Sequence, residues 1–171
     1  MKRIIFVCIF ILALAGEAFA VASSVSWISY RYVSNSKQEG IEVYATYTCD
    51  SANGSFTTTP FYETEQTEAL GTILDLRGYY LYQIVHDVGA TGVTDNTDLE
   101  VLEHSSTGRD ILGGAGTNFM DNADATPLAN TSPWRDGVAA PMPVYGHLYL
   151  KISNNVVNSA TGTLIFKFIK P

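Results

Sequence analysis

Residues 143–170 read PVYGHLYLKISNNVVNSATGTLIFKFIK, and this stretch decides the fold class. Two alternating runs, VYGHLYLKI and TLIFKFIK, flank a polar connection that ends in glycine. In the first, Val144, Leu148, Leu150 and Ile152 share one parity with Gly146, against Tyr145, His147, Tyr149 and Lys151. In the second, Leu164, Phe166 and Phe168 alternate with Ile165, Lys167 and Ile169. A period of two with aromatic and β-branched enrichment marks strands, and neither run carries a helical stripe. The pair reads as a final hairpin. Two strands cannot bury an apolar face alone, so the rest of the chain must supply an opposing layer.

The preceding sequence supplies strand after strand. Ser24 to Ser34 alternates loosely, with Trp27 and Val33 on one side and Ile28, Tyr30 and Tyr32 on the other. Ile41 to Cys49 alternates cleanly, and Asp50 to Gly54 is a turn by composition. Phe56 to Tyr62 contains Pro60, which suits an edge strand. Glu63 to Glu68 reads as a loop or one helical turn. Thr72 to Leu76 and Tyr79 to Val88 read as two strands bridged at Arg77-Gly78, or one strand bulged at Gly78. A polar loop, a short strand at Leu99 to Leu102, a turn and the brief apolar DILGGA follow. Gly116 to Pro143 holds four of the six prolines and no period, a long loop of the kind that serves function or an interface. The expectation is an all-β protein: an antiparallel β-sandwich of seven to eight strands, jelly-roll or immunoglobulin-like.

Residues 1–20 stand apart. Lys2 and Arg3 precede an apolar Ile4 to Leu14 and an Ala18-Phe19-Ala20 ending, the pattern of a signal peptide cut after Ala20. The expected organisation is therefore a leader over 1–20, a strand or arm over 21–40, and one β-sandwich over 41–171, secreted or at a cell or virion surface. The whole chain carries a net charge of −7, which disfavours nucleic acid and anionic membrane as partners. Cys8 would leave with the leader. Cys49 then stands alone, on the parity of Ile41, Val43, Ala45 and Tyr47, and reads as a buried strand thiol.

No catalytic constellation emerges. His86, His104 and His147 lack zinc-ligand spacing, and there is no Gly-x-Ser-x-Gly elbow and no phosphate-binding glycine loop. The clusters Asp95, Asn96, Asp98 and Asp121, Asn122, Asp124 offer the oxygen donors calcium takes, without the EF-hand spacing. Short Asx residues also populate turns for reasons of their own. Tyrosine is the distinctive residue type. Interfaces favour Tyr and Trp because they bury large area and still hydrogen-bond at the rim. Candidate interface residues are Trp27, Tyr30, Tyr32, Trp134, Tyr145, His147 and Tyr149; the alternatives for the aromatic strip are the second face of a core and a carbohydrate platform. Asn53-Gly54-Ser55 and Asn130-Thr131-Ser132 are sequons.

TDNTDLEVLEHSSTGRDILGGAGTN (Thr94–Asn118) followed by PVYGHLYLKISNNVVNSATGTLIFKFI (Pro143–Ile169) resembles a family of small virion structural proteins of tailed bacteriophages. In that family an acidic TDxYD loop leads into a strand, an Asp-Gly-x-Asp turn, a Leu-Gly-Gly segment and a hairpin ending GTxxLY. Asp95 and Asp98 fall at the acidic loop positions, Asp110 at the second Asp of the turn, and Gly162-Thr163 at the start of the last strand. Ala45–Pro60 and Leu76–Asp87 resemble the preceding strands. The chain departs from the pattern at Arg109, in its FKFIK ending, and in its leader, which virion parts assembled in the host cytoplasm do not carry. The resemblance implies a non-enzymatic β-sandwich that assembles with copies of itself, and with other virion or cell-surface proteins. The alternative reading is a monomeric exported module that binds carbohydrate, or calcium at Asp95 and Asp98 or Asp121 and Asp124.

Overall fold

The computed structural model of the chain describes residues 21–33, 38–63, 72–122, 128–129 and 141–171. Among them are ten strands in two antiparallel sheets: β1 (Ser24–Val33), β2 (Glu39–Thr48), β3 (Thr59–Pro60), β4 (Tyr80–Val88), β5 (Asp98–Glu103), β6 (Arg109–Asp110), β7 (Leu128–Ala129), β8 (Met142–Pro143), β9 (Leu148–Ser153) and β10 (Thr161–Ile169). The larger sheet has the order β1-β2-β10-β4-β7, with β8 also pairing β4, and the smaller has the order β3-β9-β5-β6. The β-sandwich is therefore present. The strand count exceeds the expected seven to eight because four of the ten strands are two residues long.

One expectation fails instructively. The two closing runs are strands, but they do not form a hairpin. β9 pairs β3 and β5 in the smaller sheet, whereas β10 lies between β2 and β4 in the larger. The connection over 154–160 crosses from one sheet to the other, and Asn155 fixes the crossing. Its side-chain amide donates to the carbonyls of Gly54 (2.7 Å) and Val157 (3.0 Å), and its oxygen accepts from the Thr94 amide (3.0 Å). Alternation reports that a strand has one buried face; it does not report which sheet the strand joins.

The parities hold. Leu148, Leu150 and Ile152 of β9 face Leu164, Phe166 and Phe168 of β10 from opposite sheets, and all six are buried. Across the larger sheet the inner face reads Val43, Phe166, Ile84 in one row and Ile41, Phe168, Leu81 in the next. Phe61, just after β3, packs against Phe166 at 4.8 Å between ring centres and against Trp27 at 4.7 Å. Cys49 is a free, buried thiol as expected, its pKa pushed up to about 11 by burial. Pro60 sits on the edge strand of the smaller sheet, where its missing N–H costs no ladder bond.

Two further segments differ from the reading. Thr72 to Leu76 is not a strand: a single bridge joins Ile73 to Tyr62. Leu74 and Leu76 are buried on alternate positions and so imitate a strand without a ladder. Gly78 adopts φ +83° in a turn, not a bulge within one long strand. The expected loop or helical turn after Glu63, and most of the Pro-rich segment after Gly116, lie outside the described residues.

Candidate interaction surfaces

The outer face of the larger sheet is built from the registers of four strands. Ser26, Thr46, Thr163 and Asp87 form one row across β1, β2, β10 and β4, with the Thr46 and Thr163 hydroxyls 3.1 Å apart. The next row is Ile28, Tyr44, Ile165 and Val85; the next is Tyr30, Glu42, Lys167 and Gln83; the last is Tyr32, Gly40, Ile169 and Tyr80. Apolar and polar rows thus alternate on a surface with no layer of this chain above it among the described residues. Ile28 is 43% and Tyr30 57% exposed. Tyr30 meets the Tyr44 ring edge-on at 5.6 Å, and Tyr44 donates to Glu42 (3.0 Å). Tyr32 packs over Gly40 and hydrogen-bonds Tyr82, whose pKa is raised chiefly by burial.

Sequence-predicted interface residues divide between two opposite faces. Tyr30 and Tyr32 lie on this outer face. Tyr145, 66% exposed, His147 and Tyr149 lie on the smaller sheet or just before its β9. Tyr149 stands in a row with Pro60 and Leu102, beside the Lys151–Glu100 ion pair at 2.6 Å. Trp27 is a correction. Odd parity turns its ring inward, it is 6% exposed, and it packs on Phe61, so the ring belongs to the core and meets the surface at the cleft beside β1 rather than on the outer face. Trp134 lies outside the described residues.

The sequence reading missed Glu103. It closes β5 on the inward parity of Leu99 and Val101, and is buried. One carboxylate oxygen accepts from the amides of Tyr145 (2.6 Å) and Gly146 (3.2 Å), and the other meets Arg109 at 3.1 Å. Glu103 therefore sets the backbone that displays Tyr145 and His147. An acid on the buried parity of LEVLE is the signal that could have found it.

The two acidic loops come together, since a bridge pairs Thr97 with Met120. The carboxylates of the first loop tie it to other segments: Asp95 accepts from the Asn122 amide (3.3 Å), and Asp98 from the Asn118 amide (2.8 Å) and the Asn154 side chain. Asp124 lies outside the described residues. No group of three or more His, Cys, Asp or Glu converges as a metal site among the described residues.

His86 does not approach His147. It faces the core from β4 and hydrogen-bonds the Tyr47 hydroxyl at 2.8 Å. Gly162 of β10 lies between them, and a Cβ there would stand 2.6 Å from the Tyr47 oxygen, so glycine is what lets Tyr47 reach across. Burial lowers the His86 pKa below its ordinary value of 6.5, although Asp121 and Asp87 pull it upward. The unfolded chain therefore binds this proton first. The stabilisation is present above about pH 6.5 and is lost as the pH falls through the lower folded-state value. Denaturant unfolding of wild type between about pH 7.5 and 5 is expected to show that loss, and His86→Gln is expected to flatten it.

A cleft of about 320 Å³ opens beside the first half of β1, lined by Ser24, Val25 and Trp27 on one side and Phe56, Thr58 and Tyr62 on the other. None of the described residues that line it is charged. The Trp27 Nε1–H is buried without a hydrogen-bond partner among the described residues.

No protein-family model matches the chain, and no curated protein matches it. Among solved structures, a chain titled as the cyanophage Pam1 capsid asymmetric unit aligns over 91% of this chain and 90% of its own, at 16% identity and a TM-score of 0.33. This is a distant structural similarity to a phage capsid protein; it does not single out the small tailed-phage family that the sequence resembles, and it assigns no role.

Proposed function

We propose that the protein is a non-enzymatic structural subunit. It self-assembles through strand edges and tyrosine-bearing outer faces into a virion part, or into an exported surface assembly or filament. The observation that carries this reading is the outer face of the larger sheet, where Ile28, Tyr44 and Ile165 form an apolar row and Tyr30 and Tyr32 continue from Ile28 along β1. Solvent-facing sheets ordinarily alternate toward polar residues, and contiguous apolar and aromatic surface marks contact sites. The leader-like residues 1–20 support export, and the partners are copies of the chain and neighbouring virion or cell-surface proteins.

Sedimentation velocity with negative-stain electron microscopy tests this. The expected outcome is concentration-dependent association into regular oligomers, rings or fibres, with more than about 1,000 Å² buried per contact. Tyr30→Ser with Ile28→Ser is expected to weaken association while leaving the fold intact. A monodisperse monomer at high concentration would overturn the reading in favour of a monomeric carbohydrate- or calcium-binding module.

A further inference from the structure

The larger sheet ends at β1 among the described residues, and the ladder shows which backbone groups that edge offers. The Cys49 amide donates to the Ala160 carbonyl and the Lys170 amide to the Glu39 carbonyl, both at 2.8 Å. Bonding direction alternates along an antiparallel strand, so the odd residues of β2 bond β10 and the even ones turn to β1. Ser26 lies opposite Thr46 and Ile28 opposite Tyr44. The even residues of β1 are therefore the ones bonded to β2. Val25 and Trp27 aim their N–H and C=O the other way, in the plane of the sheet, beside the cleft, whose described lining carries no charge. The indole N–H of Trp27, without an acceptor among the described residues, belongs to the same place.

An occupant must offer alternating C=O and N–H groups at the strand rise of about 3.3 Å, and the described lining of the cleft suits an uncharged one. An extended peptide meets both demands. The chain carries one on its own surface: Val21–Tyr30, VASSVSWISY, ten residues without a charge in a chain of net charge −7. We propose that the edge of β1 and its cleft receive the β1 strand of a second copy, antiparallel about a two-fold axis, joining two larger sheets into one.

This joint rests on the self-assembly reading and names its contact. Charge selects the occupant. Two acidic copies repel over most of their surface, and β1, whose single charge is Arg31, is where they approach at least cost. An antiparallel strand is self-complementary, as a two-fold contact requires. β1 also lacks the proline and lysine that ordinarily protect an edge of this length.

Two measurements test the joint: amide hydrogen exchange of the wild-type protein at low and high concentration, and sedimentation of Val25→Pro. Proline at this position removes an outward N–H and blocks the edge, while the even-residue bonds to β2 remain. The expected results are slower exchange at Val25 and Trp27, by about tenfold or more, when the protein associates, and a folded variant that stays monomeric. Association that leaves both amides unprotected, or a folded Val25→Pro that associates like wild type, would overturn the joint and leave self-assembly through another surface standing. A wild-type protein that never associates would remove both. Protection of the same amides by an added neutral oligosaccharide, without association, would also overturn the joint. Because exchange is read on the wild type, the test survives a proline variant that fails to fold.

Discussion

Phe166→Ala is expected to lower the unfolding free energy by about 3–5 kcal/mol, the range for emptying a buried phenylalanine site. Phe166 is fully buried on the inner face of β10, with Val43 on one side and Ile84 on the other. Across the core its ring meets Phe61 at 64°, and Phe61 in turn meets Trp27. The three rings link the centre of the larger sheet, the edge of the smaller one and β1. β10 is hydrogen-bonded along both sides, so the backbone cannot close onto the space left behind, and the cavity term is retained. Denaturant unfolding checks this through a lower midpoint at unchanged slope. The neighbouring Ile165→Ala, on the outer face and half-buried, is expected to cost no more than about 1 kcal/mol. Equal costs for the two variants would mean that the inner and outer faces of β10 are wrongly assigned.

Glu103→Ala is expected to cost about 3 kcal/mol, because it strands the amides of Tyr145 and Gly146 rather than because it breaks an ion pair. Two comparisons separate those causes. Arg109 is 60% exposed, so Arg109→Ala is expected to cost at most about 1 kcal/mol. Glu103→Gln keeps one acceptor oxygen and is expected to fall between them. Exchange rates at Tyr145 and Gly146 should rise in Glu103→Ala and stay near wild type in Arg109→Ala. If the arginine variant proves as damaging as the alanine at 103, the ion pair is the dominant contact after all.

What the sequence made legible follows a physical pattern. β2, β9 and β10 each have one face in the core and one outside, and a half-buried strand writes that asymmetry directly as a period of two. Pro60 marked an edge because a missing donor is tolerated only there. Sheet membership was not legible, because alternation at β9 and β10 is identical whether they pair each other or sit in opposite layers. Their separation depends on Asn155, whose partners Gly54 and Thr94 are far away in sequence. The candidate surfaces were half legible. Tyr30 and Tyr32 were assigned to one parity, but which parity of β1 faces outward is decided by the packing of Trp27 on Phe61. Glu103 passed unnoticed because an isolated acid in a strand ordinarily marks solvent, and its partners are backbone amides, which no residue type announces.

The placement of β10 has a consequence for how the chain comes into being. The strand at the middle of the larger sheet follows every other described strand in the sequence, so β2 and β4 leave the ribosome before the strand that joins them. Until then β2 and β4, whose residues lie more than thirty positions apart, lack the strand that lies between them. Such non-local closure is slow, and partial products would expose two unmatched strand edges at once. A nascent chain of this design stays open until β10 has emerged.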